Sequence, residues 1–299
     1  MTLTYIFHSG FVLETEQSIL LFDYWMDPSG VMDGVLRSEK PLYVFASHFH
    51  EDHFTKEIFE WKKQREGITY ILSKDIYKHR RANKEDADVW LAKGGSWSDD
   101  NISVWALGST DSGVSWIVET EDKAAIKREQ SQACLDSAER EQARPKVKRI
   151  FHAGDLNNWY AKFLSDDNPD QERYSFEMEE TFNPIAHEKQ FLGELKDIRK
   201  IADSFDVVMF PIDGRVGNGY TLGGRQFIER FKVGLFVPMH FTTGFEPSEQ
   251  REQSRTCSNY AESRERKSGA QSSWRMKEFT DEKNIPFWEI TREGETIEI

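Results

Sequence analysis

Short apolar runs broken by polar turns open the chain: Leu3 to Phe7, Phe11 to Glu14 and Ile19 to Phe22, separated by His8-Ser9-Gly10 and by Thr15-Glu16-Gln17-Ser18. That spacing predicts a β-meander. Leu42 to Ala46 is apolar without a break, which predicts a strand buried on both faces. Thr55 stands where it can cap a helix through Lys63, with Ile58 and Phe59 turned inward. Ile68 to Leu72 reads as a strand and Asp75 to Trp90 as a helix. Strands at Ile102 to Leu107 and Val114 to Thr120 flank the turn Gly108-Ser109-Thr110-Asp111-Ser112-Gly113, and Arg149 to His152 is a short strand running into Ala153-Gly154-Asp155. Asn183-Pro184 starts a helix with Ile185, Leu192, Leu195, Ile198 and Ile201 on one face. Val207 to Ile212 predicts a strand, Leu222 to Phe231 an amphipathic helix, and Leu235 to Met239 a strand ending in His240. A helix around Met276 to Glu282 follows, then strands near Pro286 to Ile290 and Thr296 to Ile299 across Glu293-Gly294.

Two stretches depart from this alternation. Residues 121–148 are charged and poor in large apolar side chains, which predicts an inserted helical arm on the surface, a lid or an oligomer contact. Residues 247–273 offer almost nothing to bury and predict a flexible loop. The 299 residues suit one large α/β domain or two small ones. With 21 Phe and 9 Trp, the composition is that of a chain with a large aromatic core.

A net charge of −13 opposes binding to nucleic acid. No segment approaches the 18 apolar residues of a membrane span, and Met1-Thr2-Leu3-Thr4-Tyr5 lacks the basic region and apolar stretch of a secretory signal. Cys134 and Cys257 lie in polar stretches and form no Cys-x-x-Cys pair, so neither a disulfide framework nor a thiolate site is indicated. A cytoplasmic protein is the expectation.

The chemistry concentrates in His48-Phe49-His50-Glu51-Asp52-His53, which gathers three of the eight histidines and a carboxylate at the end of the Leu42 to Ala46 strand. His48 and His50, two apart, aim the same way from an extended segment, while Asp52 and His53 come round on the following turn. Imidazole and carboxylate without thiolate are ligands for zinc, iron or manganese, and two ligand pairs suggest two metals. Asp155 and His240 repeat the arrangement of a ligand after a strand. His152, three residues before Asp155, falls on the opposite strand face and reads as structural. His8 reads equally well as a support for a ligand or as a turn residue. His79 and His187 read as surface residues.

Taken together, His48-x-His50-x-Asp52-His53, the preceding Asp23, Gly154-Asp155 and Pro238-Met239-His240 resemble the metallo-β-lactamase superfamily. His8-Ser9-Gly10 and Phe151-His152-Ala153-Gly154-Asp155-Leu156-Asn157 resemble its L-ascorbate-6-phosphate lactonase-like branch. The resemblance implies one α/β domain spanning 1–299, built as an αββα four-layer sandwich with a dinuclear site at one sheet edge. It implies that His48 and His50 bind a first metal, that Asp52, His53 and His240 bind a second, and that Asp155 bridges them. Asp52 is then also the group beside the reactive water, and Asp23 orients a ligand imidazole. Trp159, Tyr160 and Arg215 are candidate pocket residues, with Asn157 beside them. One departure stands out: the histidine usual in the Gly-His-Thr-like turn is Ser109 here, so the first site is completed by Asp111, by water, or not at all. One or two Zn²⁺ per chain, or Mn²⁺ or Fe²⁺, are the implied cofactors. The implied activity is hydrolysis of a small ester, lactone or phosphodiester. The alternative is a metal-binding regulatory or scaffolding protein with a degraded first site and little turnover.

Overall fold

The computed structural model describes residues 1–122, 146–161, 183–214, 219–241 and 274–299. Most of the expected 121–148 arm, the 247–273 loop and Arg215 lie outside the described residues. The strands are β1 (Thr2–Phe7), β2 (Gly10–Glu14), β3 (Ile19–Phe22), β4 (Leu42–Ala46), β5 (Ile68–Ser73), β6 (Val89–Leu91), β7 (Ser96–Ser98), β8 (Ile102–Leu107), β9 (Ser115–Asp122), β10 (Lys146–His152), β11 (Ser204–Pro211), β12 (Lys232–Met239) and β13 (Thr296–Glu298). Among the described residues they form a seven-stranded sheet, β13-β1-β2-β3-β4-β5-β6, and a six-stranded sheet, β12-β11-β10-β9-β8-β7.

Both sheets are covered on both faces, which is why their central strands are continuously apolar. In β4, Tyr43 and Phe45 face the second sheet, while Leu42, Val44 and Ala46 face the outer layer. That layer holds α1 (Val31–Arg37), a 3-10 helix at Lys56–Lys63 and α2 (Lys74–Lys78). Ile58 and Trp61 anchor the 3-10 helix, and Thr55 caps it by accepting from the Glu57 N–H. Phe22 of β3 stacks on Phe45 at 4.9 Å and on His152 of β10 at 5.2 Å, joining the sheets through one aromatic column. Outside the second sheet lie α3 (Pro184–Ile201), α4 (Leu222–Ile228) and α5 (Trp274–Glu282). The two sheets lie face to face with helices outside each, the α/β sandwich that the resemblance implies.

Local pattern misleads in four places. The 75–90 segment is not one helix: α2 ends at Lys78, and Trp90 lies in β6, where pairing with β5 overrides local propensity. The ends of the expected helical arm are strand, with Lys146 paired to Asp122 and Thr120 to Lys148 across β9 and β10. Helix α3 buries Phe191, Leu195 and Ile198, at i, i+4 and i+7, while Ile185 is 57% and Ile201 43% exposed. Pro286 to Ile290 is not a regular strand: it pairs with the second sheet through an isolated bridge from Phe287 to Phe236 and buries Trp288 and Ile290 in the core. Among the described residues, no helix is long and apolar enough to cross a membrane.

Candidate metal centre

Six strands from the two sheets end at one edge. β1 delivers His8, β3 delivers Asp23, β4 delivers Ser47 and His48, β10 delivers Asp155, β11 delivers Asp213 and β12 delivers His240. Three of these residues take left-handed backbone, with φ of 55° at His8, 43° at Asp23 and 66° at His240. Non-glycine residues rarely sit there, and such strain persists only where surrounding structure imposes it. The sheets are tied across the site by the His240 N–H donating to the His8 carbonyl at 3.1 Å. Gly113 and Gly154, at φ 67° and 52°, press so closely on Ser47 and His48 that a Cβ would lie 2.0 Å and 2.8 Å from their nearest atoms.

The donor atoms form two groups, each within 4.8 Å: His8, Asp52, His53 and His240 in one, and His48, His50, Asp111 and Asp155 in the other. Asp155 lies between them. Its Oδ1 is 3.0 Å from His53 Nε2 and 3.2 Å from His240 Nε2, and its Oδ2 is 3.3 Å from His48 Nε2. Asp52 Oδ2 is 3.3 Å from His8 Nε2 and 4.0 Å from His240 Nε2, and Asp111 Oδ2 is 3.4 Å from His50 Nδ1.

Behind these atoms, each of three imidazoles is held by its other nitrogen. His53 Nδ1 donates to Asp23 Oδ2 at 2.7 Å, and His240 Nδ1 donates to Asp213 Oδ2 at 2.9 Å. The Ser47 hydroxyl donates to Asp23 Oδ2 at 2.6 Å, so at 2.9 Å it accepts from His48 Nδ1. These tautomers follow from the network, and each leaves the Nε2 lone pair aimed inward.

Nε2 of His48 and His53, both ring nitrogens of His8, and Asp155 Oδ1 are enclosed yet make no hydrogen bond of acceptable geometry. Buried polar atoms without partners are rare, and a convergent set calls for a cation. Four ligands at about 2.1 Å around a tetrahedral ion lie about 3.4 Å apart, close to the spacings here. The donor set therefore fits divalent metal.

Charge follows the same pattern. Burial alone would lower His240, but Asp155 and Asp213 outweigh it and raise its pKa to about 9. His53, between Asp155 and Asp23, is raised well above the usual imidazole range against the same burial. His8 is lowered to about 4 by burial and by the neighbouring His240, with Asp52 opposing. Burial would raise Asp155, yet His53, His240 and His48 hold it well below the usual carboxylate range. Asp52 is lowered too, by His8, His53 and His240 against burial.

The structure brings together His48, His50, Asp52, His53, Asp155, His240 and Asp111, and adds His8 to the Asp52 group. Asp23 sits behind His53 and Ser47. The Ser109 hydroxyl accepts from the Asp111 N–H at 3.4 Å and so shapes the turn. Asn157 is likewise a turn builder: its carbonyl accepts from Thr110 Oγ1 at 2.6 Å and its side chain accepts from the Asn158 N–H. Trp159 lies 5.2 Å from His240 and donates to the Asp155 carbonyl at 2.9 Å. Tyr160 packs on His187 at 4.3 Å. His152 is fully buried, with Nε2 3.0 Å from the Ser9 carbonyl. His79 is exposed and stacks on Phe49 at 3.9 Å. Sequence reasoning passed over Asp213 and Ser47, although Asp213 follows a buried strand as Asp155 does. It also passed over Trp25, whose ring is 5.7 Å from His8.

No family model and no curated protein sequence matches the chain. Solved structures do. Igni18, a novel metallo hydrolase from the hyperthermophilic archaeon Ignicoccus hospitalis, aligns over 99% of this chain and 97% of its own, at 14% identity and a TM-score of 0.53. A protein from Veillonella parvula, described as a possible metal-dependent hydrolase, aligns over 99% and 98%, at 12% identity and a TM-score of 0.50. At such identities the likeness speaks for the fold.

Proposed function

We propose that the chain is a metal-dependent hydrolase of a small ester, lactone or phosphodiester, with zinc as the metal. The observation that carries this is the convergence of unpartnered buried nitrogens on the two oxygens of Asp155. His48, His50, Asp111 and Asp155 would hold one metal, and Asp52, His53, His240 and Asp155 the other. A divalent metal bound there lowers the pKa of water from about 16 toward 7 and so supplies a nucleophile at neutral pH.

The chain's own residues would do the rest. Asp23, Ser47 and Asp213 keep three imidazoles in the tautomer that presents a lone pair. Asp52, with its side chain 31% exposed, faces the mouth and is placed to take a proton from the attacking water. His50 and Asp111, at 40% and 44% exposure, form the open side, where substrate has access. Half-buried Trp25, Phe49 and Trp159 rim the donor set, which supports an organic substrate with apolar surface. Asp111 beside His50 also favours the enzyme over a degraded binding module, because it puts a charged ligand where Ser109 offers none. The lactonase-like branch remains the finer proposal, supported by His8-Ser9-Gly10 and the Phe151 to Asn157 string.

The test is a panel of lactones, esters and phosphodiesters assayed with protein stripped by chelator and then reloaded with zinc or manganese. Turnover is expected only in the reloaded protein. Asp155→Ala, which deprives both sites of a shared charge, should lower it by about 10² or more and reduce metal content. Full turnover by stripped Asp155→Ala protein would sink the proposal.

A further inference from the structure

We propose that His8 is itself a metal ligand, closing the Asp52, His53 and His240 group into a site with three imidazoles that takes zinc in preference to harder ions. This rests on the reading of the cluster as a metal centre and goes beyond the ligand set that the resemblance implies.

The backbone of His8 is fixed from three directions. Its N–H donates to the Tyr5 hydroxyl at 2.8 Å, its carbonyl accepts from the His240 N–H at 3.1 Å, and it bridges to Phe241 in antiparallel fashion. The left-handed conformation, φ 55°, turns the side chain back toward the sheet edge instead of continuing β1. The residue is buried, with 4% of its surface exposed; Nδ1 has no hydrogen-bond partner, and Nε2 faces only the Asp52 carboxylate, at 3.3 Å and without good hydrogen-bond geometry. A residue kept merely for packing would not need a ring nitrogen enclosed against a carboxylate and two further imidazoles.

The ring is also well aimed. Its Nε2 lies 3.3 Å from Asp52 Oδ2, and its centroid lies 4.3 Å from that of His240 and 5.8 Å from that of His53. Neighbouring ligands on a tetrahedral zinc are about 3.4 Å apart, so Nε2 stands at ligand spacing from Asp52. The edge of Trp25, 5.7 Å away, and the anchored backbone orient the ring in place of a carboxylate partner.

The two groups then differ in kind. One offers His8, His53, His240 and Asp52, enclosed except for the Asp52 carboxylate; the other offers His48, His50 and Asp111, with His50 and Asp111 open to solvent, and Asp155 is shared between them. Imidazole-rich sites suit zinc, and carboxylate-rich sites open to water also suit manganese. With serine at position 109 and histidine at position 8, imidazole nitrogen is concentrated in the enclosed group.

Metal-free protein titrated with Zn²⁺ against a chromophoric chelator, and separately with Co²⁺ followed by its visible spectrum, provides the test. Two zinc events of unequal affinity are expected in the parent. His8→Asn and His8→Gly, both residue types that accept φ 55°, should weaken the tighter event about tenfold or more and change the cobalt spectrum, leaving the weaker event in place. Asp111→Ala should weaken the other event and spare the tighter one. Thermal melts of the metal-free variants show whether they are folded, and either folded variant decides the question. Unchanged affinity and spectrum in a folded His8 variant would overturn the assignment of His8 while leaving the metal centre intact. A parent that takes up no zinc would overturn the metal centre itself, and this proposal with it.

Discussion

Replacing Asp23 by Asn changes one buried oxygen to an amide nitrogen at the point that supports His53 of one donor group directly and His48 of the other through Ser47. Asp23 is fully buried, and its Oδ1 accepts from the Ser47 N–H at 2.7 Å. Its Oδ2 accepts from the Ser47 hydroxyl and from His53 Nδ1. An asparagine can keep the bond to the Ser47 N–H, but its amide then presents hydrogens where Oδ2 accepted them. His53 must accept at Nδ1 and carry its hydrogen on Nε2, facing the metal. The Ser47 hydroxyl must also turn, and its new acceptor is His48 Nδ1, so His48 changes tautomer as well. Loss of such support typically costs about 10–100-fold in metal affinity, and here it should do so at both sites. Two charge-assisted bonds at about 1.5–3 kcal/mol each are lost and partly replaced by amide bonds, leaving a net cost of about 2–4 kcal/mol. At roughly 2 °C per kcal/mol for a chain of this size, the metal-free protein should melt about 4–8 °C lower and still fold. Zinc competition titrations on parent and Asp23→Asn measure the affinities, and nitrogen NMR of the imidazoles reads the tautomers directly. Parent-like zinc affinity at both sites, with His53 still protonated at Nδ1, would refute the reasoning.

Two further outcomes follow from the same geometry. Because His240 has its pKa raised to about 9 by Asp155 and Asp213, its charged form stabilises metal-free protein fully below the ordinary imidazole value of 6.5, and that stability is lost as pH rises through about 9. Metal-free protein should therefore melt lower at pH 10 than at pH 7, and by more than zinc-loaded protein, in which His240 would be a neutral ligand throughout; equal losses in melting scans of the two forms would contradict this. Residues 123–145 join β9 to β10, which pair as antiparallel neighbours up to Lys146 and Asp122, so replacing them with a two-residue Asn-Gly turn should preserve the fold. Circular dichroism and zinc binding like the parent's are expected, and an insoluble or unfolded product would show that the segment belongs to the core.

What sequence made legible was whatever a short window encodes. β4 could be read because both its faces are buried and every residue from Leu42 to Ala46 is apolar, and His48 to His53 because the ligand pairs sit within six residues. β6 and β7 could not. Each is three residues long, β7 is Ser-Trp-Ser, and their conformation comes from pairing with β5 and β8. α1 was missed because Gly34 interrupts a seven-residue helix whose only buried residues are Met32 and Val35. On α3 the apolar periodicity allowed more than one face, and contact with Phe210 and the second sheet selected Phe191 over Ile185.

The position of His8 shows a different limit. Nothing within ten residues of it reports that His240 will donate to its carbonyl, because that bond is made between two sheets whose packing depends on the whole aromatic column of Phe22, Phe45 and His152. Asp111 is a local version of the same problem. Spacing alone left open whether Asp111 or water replaces the missing imidazole at position 109. The turn favours Asp111: Gly113 at φ 67° packs on His48, the Val114 N–H donates to the Ser47 carbonyl at 3.0 Å, and Asp111 stands 3.4 Å from His50. A carboxylate there brings a negative charge that an imidazole would not, so His48, His50, Asp111 and Asp155 together would neutralise a divalent ion. On the proposed reading, the serine at position 109 that looks like decay in the sequence would leave the site able to hold a cation, with its preference moved toward harder ones.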